Sequence, residues 1–137
     1  MGRFGYPALL ELGGRRCVVV GSRAVAEGKV EALLEGGADD VLVVAQGPRA
    51  RLGALAADPR VRAARRPWRP EDLDGAFVVV GWDPDPAERA RLAAEARARG
   101  ALVNVIDDVP NCDFAAPAVV RRGDLVVAIG TGGASPA

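Results

Sequence analysis

The sequence contains no histidine and only two cysteines, Cys17 and Cys112. Two cysteines do not make the disulfide framework of a small secreted domain. A zinc site would also lack its commonest ligands, because histidine and clustered cysteine supply most of them. We therefore predict no protein-bound metal and expect both cysteines to serve packing.

The chain carries no excess of either charge, with 18 basic and 18 acidic residues. Non-specific binding to nucleic acid or to a membrane surface needs a basic excess, so neither is expected. No apolar run approaches the roughly 18 residues that span a bilayer. No signal-peptide pattern opens the sequence, and a cytoplasmic location is expected.

Aromatic residues make up only 4% of the 137 residues, whereas half of the chain is apolar. The core must therefore be built from Val, Leu, Ile and Ala. Short aliphatic runs of this kind are typical of parallel strands covered by helices on both faces. The length suits one domain, which we place at residues 1–137.

Short aliphatic runs alternate with helical patterns along most of the chain. This alternation predicts a doubly wound, mostly parallel Rossmann-type α/β sheet with right-handed crossovers. The predicted strands are 16–20, 41–45, 61–65 (a weak edge strand), 76–80, 102–106 and 125–129, and the predicted helices are 24–35, 48–57 and 85–99. The segment that contains Pro110 and Pro117 is predicted to be irregular.

Ligands of such sheets bind beyond the carboxyl ends of the strands. Three loops follow predicted strands at that edge, namely 21–24, 81–83 and 106–108. The sequence therefore predicts a ligand site where these loops meet.

The first of these loops resembles a dinucleotide fingerprint, which needs a glycine for the tight turn, a second for close approach of the pyrophosphate, and a small third residue. The corresponding residues are Gly21, Ser22, Arg23, Ala24 and Val25. The first and third requirements are met, but Arg23 occupies the second glycine position. Its side chain either obstructs the cofactor or grips phosphate through charge-assisted contacts.

The end of the second strand should carry the acid that holds the ribose 2′-hydroxyl of NAD. That position is Gln46, followed by Gly47, so the sequence does not separate NAD from NADP. We predict NAD, with Gln46, Gly47, Gly81 and Trp82 completing the cofactor site.

Two later segments carry a more specific signal than the glycine loop. One runs from Asn104 through Asp107, Asp108 and Pro110 to Phe114 and Pro117, and the other runs through 122–136 and contains Thr-Gly-Gly-Ala-Ser-Pro. Together with the opening segment 4–12 and the turn over 18–26, they resemble the precorrin-2 dehydrogenase and sirohydrochlorin ferrochelatase family, the N-terminal module of siroheme synthases. The resemblance covers nearly the whole chain.

This resemblance implies that NAD oxidises precorrin-2 to sirohydrochlorin, and that ferrous iron is a further substrate in bifunctional members. It makes Asp107 the catalytic residue, which takes a proton as hydride leaves or receives pyrrole protons as metal enters. It places Asn104, Thr131, Gly132 and Gly133 at the tetrapyrrole substrate. From its position alone, Asp107 is better explained as a strand-end turn residue, and only the resemblance favours a catalytic role. The terminal glycines are equally well explained as a flexible tail.

Two departures from the family pattern leave a second function open. Gly81, Trp82 and Asp83 stand where the family has Ala-Thr-Asp, and the family continues beyond Ser-Pro into a helical region. The resemblance implies a homodimer, or a partner chain that supplies this region. The alternative function is a non-catalytic nucleotide-binding or assembly module of the same fold.

Overall fold

The computed structural model describes residues 2–21, 24–47 and 50–131. Its centre is a five-stranded parallel sheet in the order β3-β2-β1-β4-β5. This order confirms the predicted Rossmann-type α/β class, with the weak third strand at one edge. The strands are β1 (Arg16–Val20), β2 (Asp40–Ala45), β3 (Val61–Arg65), β4 (Ala76–Gly81) and β5 (Leu102–Val105).

Helices cover both faces of the sheet, as predicted. Buried side chains of α1 and α2 share one apolar cluster, and those of α3 and a 3₁₀ turn at Pro70–Leu73 share the other. A second 3₁₀ turn, Val109–Asn111, follows β5. The helices are α1 (Ala24–Glu35), α2 (Leu52–Ala56) and α3 (Pro86–Ala98), the last capped by the Asp85 carboxylate.

Strand β1 shows why aliphatic runs give buried central strands. Cys17 and Val19 point to the α1 face, whereas Val18 and Val20 point to the α3 face, and all four are buried. Each fully buried valine contributes about 1.5–3 kcal/mol relative to an exposed one. A strand buried on both faces therefore reads as a continuous apolar run rather than an alternating one.

One prediction about the C-terminal part needs correction. The strand at Leu125–Ile129 exists, but it does not extend the parallel sheet: as β7 it pairs antiparallel with β6 (Ala118–Arg122), which the sequence prediction missed. The two-residue Gly123-Asp124 connection, with Gly123 at φ +56°, is a hairpin-turn signal that marks this pairing. Nearly every residue of the hairpin is exposed.

No helix within the described ranges is long and apolar enough to cross a membrane.

Candidate functional site

The ends of the central strands are tied to one another by backbone hydrogen bonds. Gly21 N–H donates to the Val44 carbonyl (3.0 Å), Trp82 N–H to Val20 (3.1 Å) and Ile106 N–H to Gly81 (3.0 Å). In each of these loops, the first residue after the strand donates a hydrogen bond to the end of the neighbouring strand. The three loops after β1, β4 and β5 therefore meet at one edge of the sheet.

Gly21 makes the tight turn that leads from β1 towards α1. Its φ is +113°, and a Cβ built on it would overlap the Trp82 carbonyl oxygen. Only glycine combines this backbone conformation with so close an approach of two loops. Ala24 and Val25 follow as exposed residues at the start of α1, and Ser22 and Arg23 lie outside the described residues.

A cavity of about 320 Å³ opens where the turn at Gly21 meets the ends of β2, β3 and β4. Among the predicted cofactor residues, Gly21, Gln46 and Trp82 line it. Gly47 does not; its carbonyl instead accepts a hydrogen bond from Arg65 at 2.7 Å. Gly81 is buried and is not among the lining residues; an added Cβ there would collide with the Leu92 side chain.

Among the residues of this cavity that sequence reasoning missed are Arg66 and Trp68. The Arg66 guanidinium makes two parallel bonds with the Asp72 carboxylate, at 2.8 and 2.7 Å. The Arg91 guanidinium lies 4.0 Å from the centroid of the Trp68 ring, a cation–π contact. The signal was their place directly after the third strand, which the weak strand pattern obscured.

Asp107 lies in the loop after β5, exposed and with φ +61°. It is the third residue of a tight turn closed by a hydrogen bond from Asp108 N–H to the Val105 carbonyl (3.1 Å). Aspartate tolerates this left-handed conformation better than most residues, though still at a cost of about 1–2 kcal/mol. Within the described residues it is the sole non-glycine with positive φ, and such strain clusters at functional sites.

Arg89 of α3, also missed from the sequence, connects two of the loops. Its guanidinium donates to the Asp83 carbonyl (2.9 Å) and to the Asp108 carboxylate (2.8 Å), which also accepts from Asn111. Partial burial raises the pKa of Asp108, but the bonds from Asn111 and Arg89 outweigh it and hold that pKa below its ordinary value. Asp108 therefore stays ionised and fixes the turn that carries Asp107.

The predicted substrate residues are not all brought together. The Asn104 amide donates to the Phe114 carbonyl at 2.9 Å, so it fastens the segment after β5. Thr131 is exposed beyond β7 and does not line the 320 Å³ cavity. Gly132 and Gly133 lie outside the described residues.

Both cysteines are buried, and the Cys112 thiol donates to the Val105 carbonyl at 3.1 Å. In the part of the chain that the structure describes, no three histidine, cysteine or carboxylate side chains are placed to hold a metal ion.

A glycine turn, the start of a helix, and a cavity at the carboxyl edge of a parallel sheet fit a dinucleotide. A family model described as "Putative NAD(P)-binding" matches residues 8–118. The chain belongs to this NAD(P)-binding family.

Relatives of this NAD(P)-binding chain carry consistent names. It is 39% identical over 130 residues to "Siroheme synthase 1" of Yersinia enterocolitica, covering 95% of this chain and 27% of that protein. It is 35% identical to "Siroheme synthase" of Methylobacillus flagellatus, covering 95% of this chain and 28% of that protein. The chain thus spans about a quarter of the length of these curated relatives.

Among solved structures, the chain resembles "SirC, precorrin-2 dehydrogenase". The TM-score is 0.77 at 31% sequence identity, and the match covers 96% of this chain and 64% of that one. The sequence pattern, the fold and the family model therefore all indicate a Rossmann-type NAD(P)-binding protein.

Proposed function

We propose that this chain dehydrogenates precorrin-2 to sirohydrochlorin with NAD, as the dinucleotide-binding module of siroheme synthesis. The observation that carries the proposal is that the Gly21 turn, the cavity beside it and the loop of Asp107 lie at one edge of the sheet. The names of the relatives and of the similar structure supply the substrate.

The residues that would hold the dinucleotide divide between two parts of the edge. The Gly21 turn and the start of α1 would receive the pyrophosphate, because helix N-termini offer backbone N–H groups and a positive dipole end. The cavity with Gln46, Trp68 and Trp82 would receive the adenosine half. A bound nicotinamide ring supplies a hydride acceptor.

Asp107 is the proposed proton acceptor. Removing two hydrogens from precorrin-2 releases one hydride to the cofactor and one proton, and an exposed carboxylate beside the cofactor edge can take that proton. The turn holds Asp107 in place, and the Arg89–Asp108 pair fixes the turn. Asn104, Thr131, Gly132 and Gly133 are proposed to contact the tetrapyrrole.

The proposed partners are precorrin-2 and a second protein surface, in a homodimer or with a partner chain. Iron insertion stays an expectation from the resemblance.

The first experiment is a calorimetric titration of the chain with NAD and with NADP. We expect NAD to bind. The variant Arg23→Gly shows how Arg23 acts, because the affinity for NAD rises if the arginine side chain obstructs the cofactor. If it grips phosphate, losing the charged hydrogen bond costs roughly 1.5–3 kcal/mol of binding free energy. Absence of binding by both nucleotides, in wild type and variant alike, would overturn the proposal.

The second experiment separates an enzyme from an assembly module. Precorrin-2 and NAD are supplied, and the amounts of sirohydrochlorin and NADH that form are measured. We expect the two products to form in equal amounts. The same assay is run with candidate partner chains. Nucleotide binding without turnover under every condition would favour the non-catalytic alternative.

A further inference from the structure

Arg66 lies beside the end of β2, the place where Rossmann folds receive the adenosine ribose of a dinucleotide. Its backbone N–H donates to the carbonyl of Ala45, the last residue of β2, at 3.1 Å, and its side chain lines the 320 Å³ cavity with Gln46. In Rossmann folds an acid near the end of the second strand selects the 2′-hydroxyl of NAD, and a nearby arginine accommodates the 2′-phosphate of NADP. Here the strand is followed by the neutral Gln46, so discrimination needs another residue.

The Asp72 carboxylate engages both terminal nitrogens of the Arg66 guanidinium. Its two oxygens accept from both terminal nitrogens, at 2.8 and 2.7 Å, and one of them also accepts from Arg69 N–H at 2.7 Å. The Asp72 side chain is only 8% exposed and the Arg66 side chain 28%. The carboxylate is thus nearly buried, and the Arg69 N–H at the start of the 3₁₀ segment helps to hold it against the guanidinium.

We propose that Asp72 is the residue that selects NAD against NADP, because it holds the Arg66 guanidinium that a 2′-phosphate would need. The inference rests on the proposed dinucleotide site. A 2′-phosphate on the ribose must compete with the Asp72 carboxylate for the Arg66 guanidinium, and it must lie close to the negative charge of that carboxylate. Both effects weaken the binding of NADP. The neutral 2′-hydroxyl of NAD is subject to neither.

The neighbouring cation at this edge is also engaged. Arg65 donates to the carbonyls of Gly47 and Ala50, at 2.7 and 2.9 Å. Releasing Arg66 would therefore give this part of the cavity a cation for phosphate. Arg23 and Arg49 lie outside the described residues.

The test compares the affinities of NAD and NADP for wild type and Asp72→Asn, followed by calorimetry and by quenching of Trp68 and Trp82, the two tryptophans of the chain. Asparagine keeps an oxygen for the Arg69 N–H and removes the charge. We expect NADP to bind about tenfold more tightly, as one released charge-assisted contact allows. NAD affinity should stay within about twofold. The fragments adenosine 2′,5′-bisphosphate and 5′-AMP should show the same contrast.

Three further variants make the result specific. Arg66→Gln together with Asp72→Asn should lose the gain in NADP affinity. Asp58→Asn, which breaks a similar two-bond pair with Arg60 before β3, at the opposite end of the sheet, should leave both affinities unchanged. Asp72→Ser is the second variant if Asp72→Asn does not fold, as judged by circular dichroism.

The outcomes separate two failures. If NAD binds but the ratio of NADP to NAD affinity is unchanged in the folded Asp72 variants, or rises without Arg66, the inference about Asp72 is wrong. If wild type binds neither nucleotide, the proposed dinucleotide site itself is wrong, and this inference fails with it.

Discussion

At the scale of single residues, Asp107 combines a side chain proposed to accept a proton with an unusual backbone conformation. Its φ of +61° is one that asparagine and aspartate adopt more readily than other non-glycine residues. This makes asparagine a matched substitution, since it keeps both the size and the backbone preference. An effect on activity can then be assigned to the lost charge and basicity.

We therefore expect Asp107→Asn to lower NAD-dependent sirohydrochlorin formation on the order of 10²–10⁴-fold, the usual contribution of general acid–base catalysis. Thermal stability should change little, because the side chain is exposed. The measurements are turnover and a melting curve on the same preparation. Lost stability with intact turnover would make Asp107 a turn residue only.

Gly21 provides a second residue-scale prediction. Gly21→Ala should lower the free energy of unfolding by roughly 1–3 kcal/mol, because alanine is strained at positive φ and its Cβ meets the Trp82 carbonyl. Dinucleotide affinity should fall with it. Gly28→Ala is the control: this exposed position in α1 has open space around it, and alanine there should stabilise by about 0.5–1 kcal/mol. Equal effects of the two substitutions in urea titrations would contradict the turn assignment.

The cysteines should be chemically silent in the folded protein. Burial, and then the charges of Asp40 and Asp39, raise the pKa of Cys17 to about 11, and burial also raises that of Cys112. Because the thiolate is the reactive form, iodoacetamide at pH 8 should label both residues only after unfolding. Mass spectrometry with and without urea measures this. Stoichiometric labelling of the native chain would show that the burial is wrong.

At the scale of elements, the β6–β7 hairpin has two different faces. Val119, Arg121, Val126 and Ala128 line a groove of about 740 Å³, together with α1 and the segment near Leu9. The opposite face is apolar and exposed, including Val120 (54%) and Ile129 (64%). Exposed apolar strands of this kind are pairing and docking surfaces.

We expect the chain to self-associate weakly through this outer face. Val120→Lys with Ile129→Lys should shift sedimentation profiles towards the monomer, because charge on an exposed strand opposes pairing. Ala94→Lys, on the exposed side of α3, is the matched control and should leave the profile unchanged. A wild-type chain that stays strictly monomeric at high concentration would contradict the prediction.

The 3₁₀ turn at Pro70–Leu73 carries Asp72, whose ionisation should make the stability of the fold depend on pH. The Arg66 hydrogen bond is the main cause that lowers the pKa of Asp72 below its ordinary 3.8. A depressed carboxyl pKa stabilises the fold fully above the unfolded value and loses that contribution as pH falls through the folded value. As the pH falls below about 3.8, the urea midpoint of wild type should therefore decrease more steeply than that of Asp72→Asn. Parallel curves for the two proteins would show that the pair is not coupled to folding.

At the scale of the whole molecule, the alternation of strands and helices was predictable because it depends on local patterns. The run ending at Gly21, the helix over 24–35 and the weak edge strand at 61–65 were all confirmed. Their periodicity, caps and turns act within a few residues of the chain. The assignment of the entire chain to one domain stays a prediction.

By itself, the sequence determined the Rossmann class, the edge where the loops meet and the residue types available there. Only the tertiary structure decided that Arg66 binds Asp72, that Trp68 joins Trp82 at one cavity, and that β7 pairs with β6 outside the main sheet. Periodicity records which face of an element is apolar, but not which side chains of other elements it meets. Those partners are fixed by strand order and by the packing of α3 and the 3₁₀ turn against the sheet.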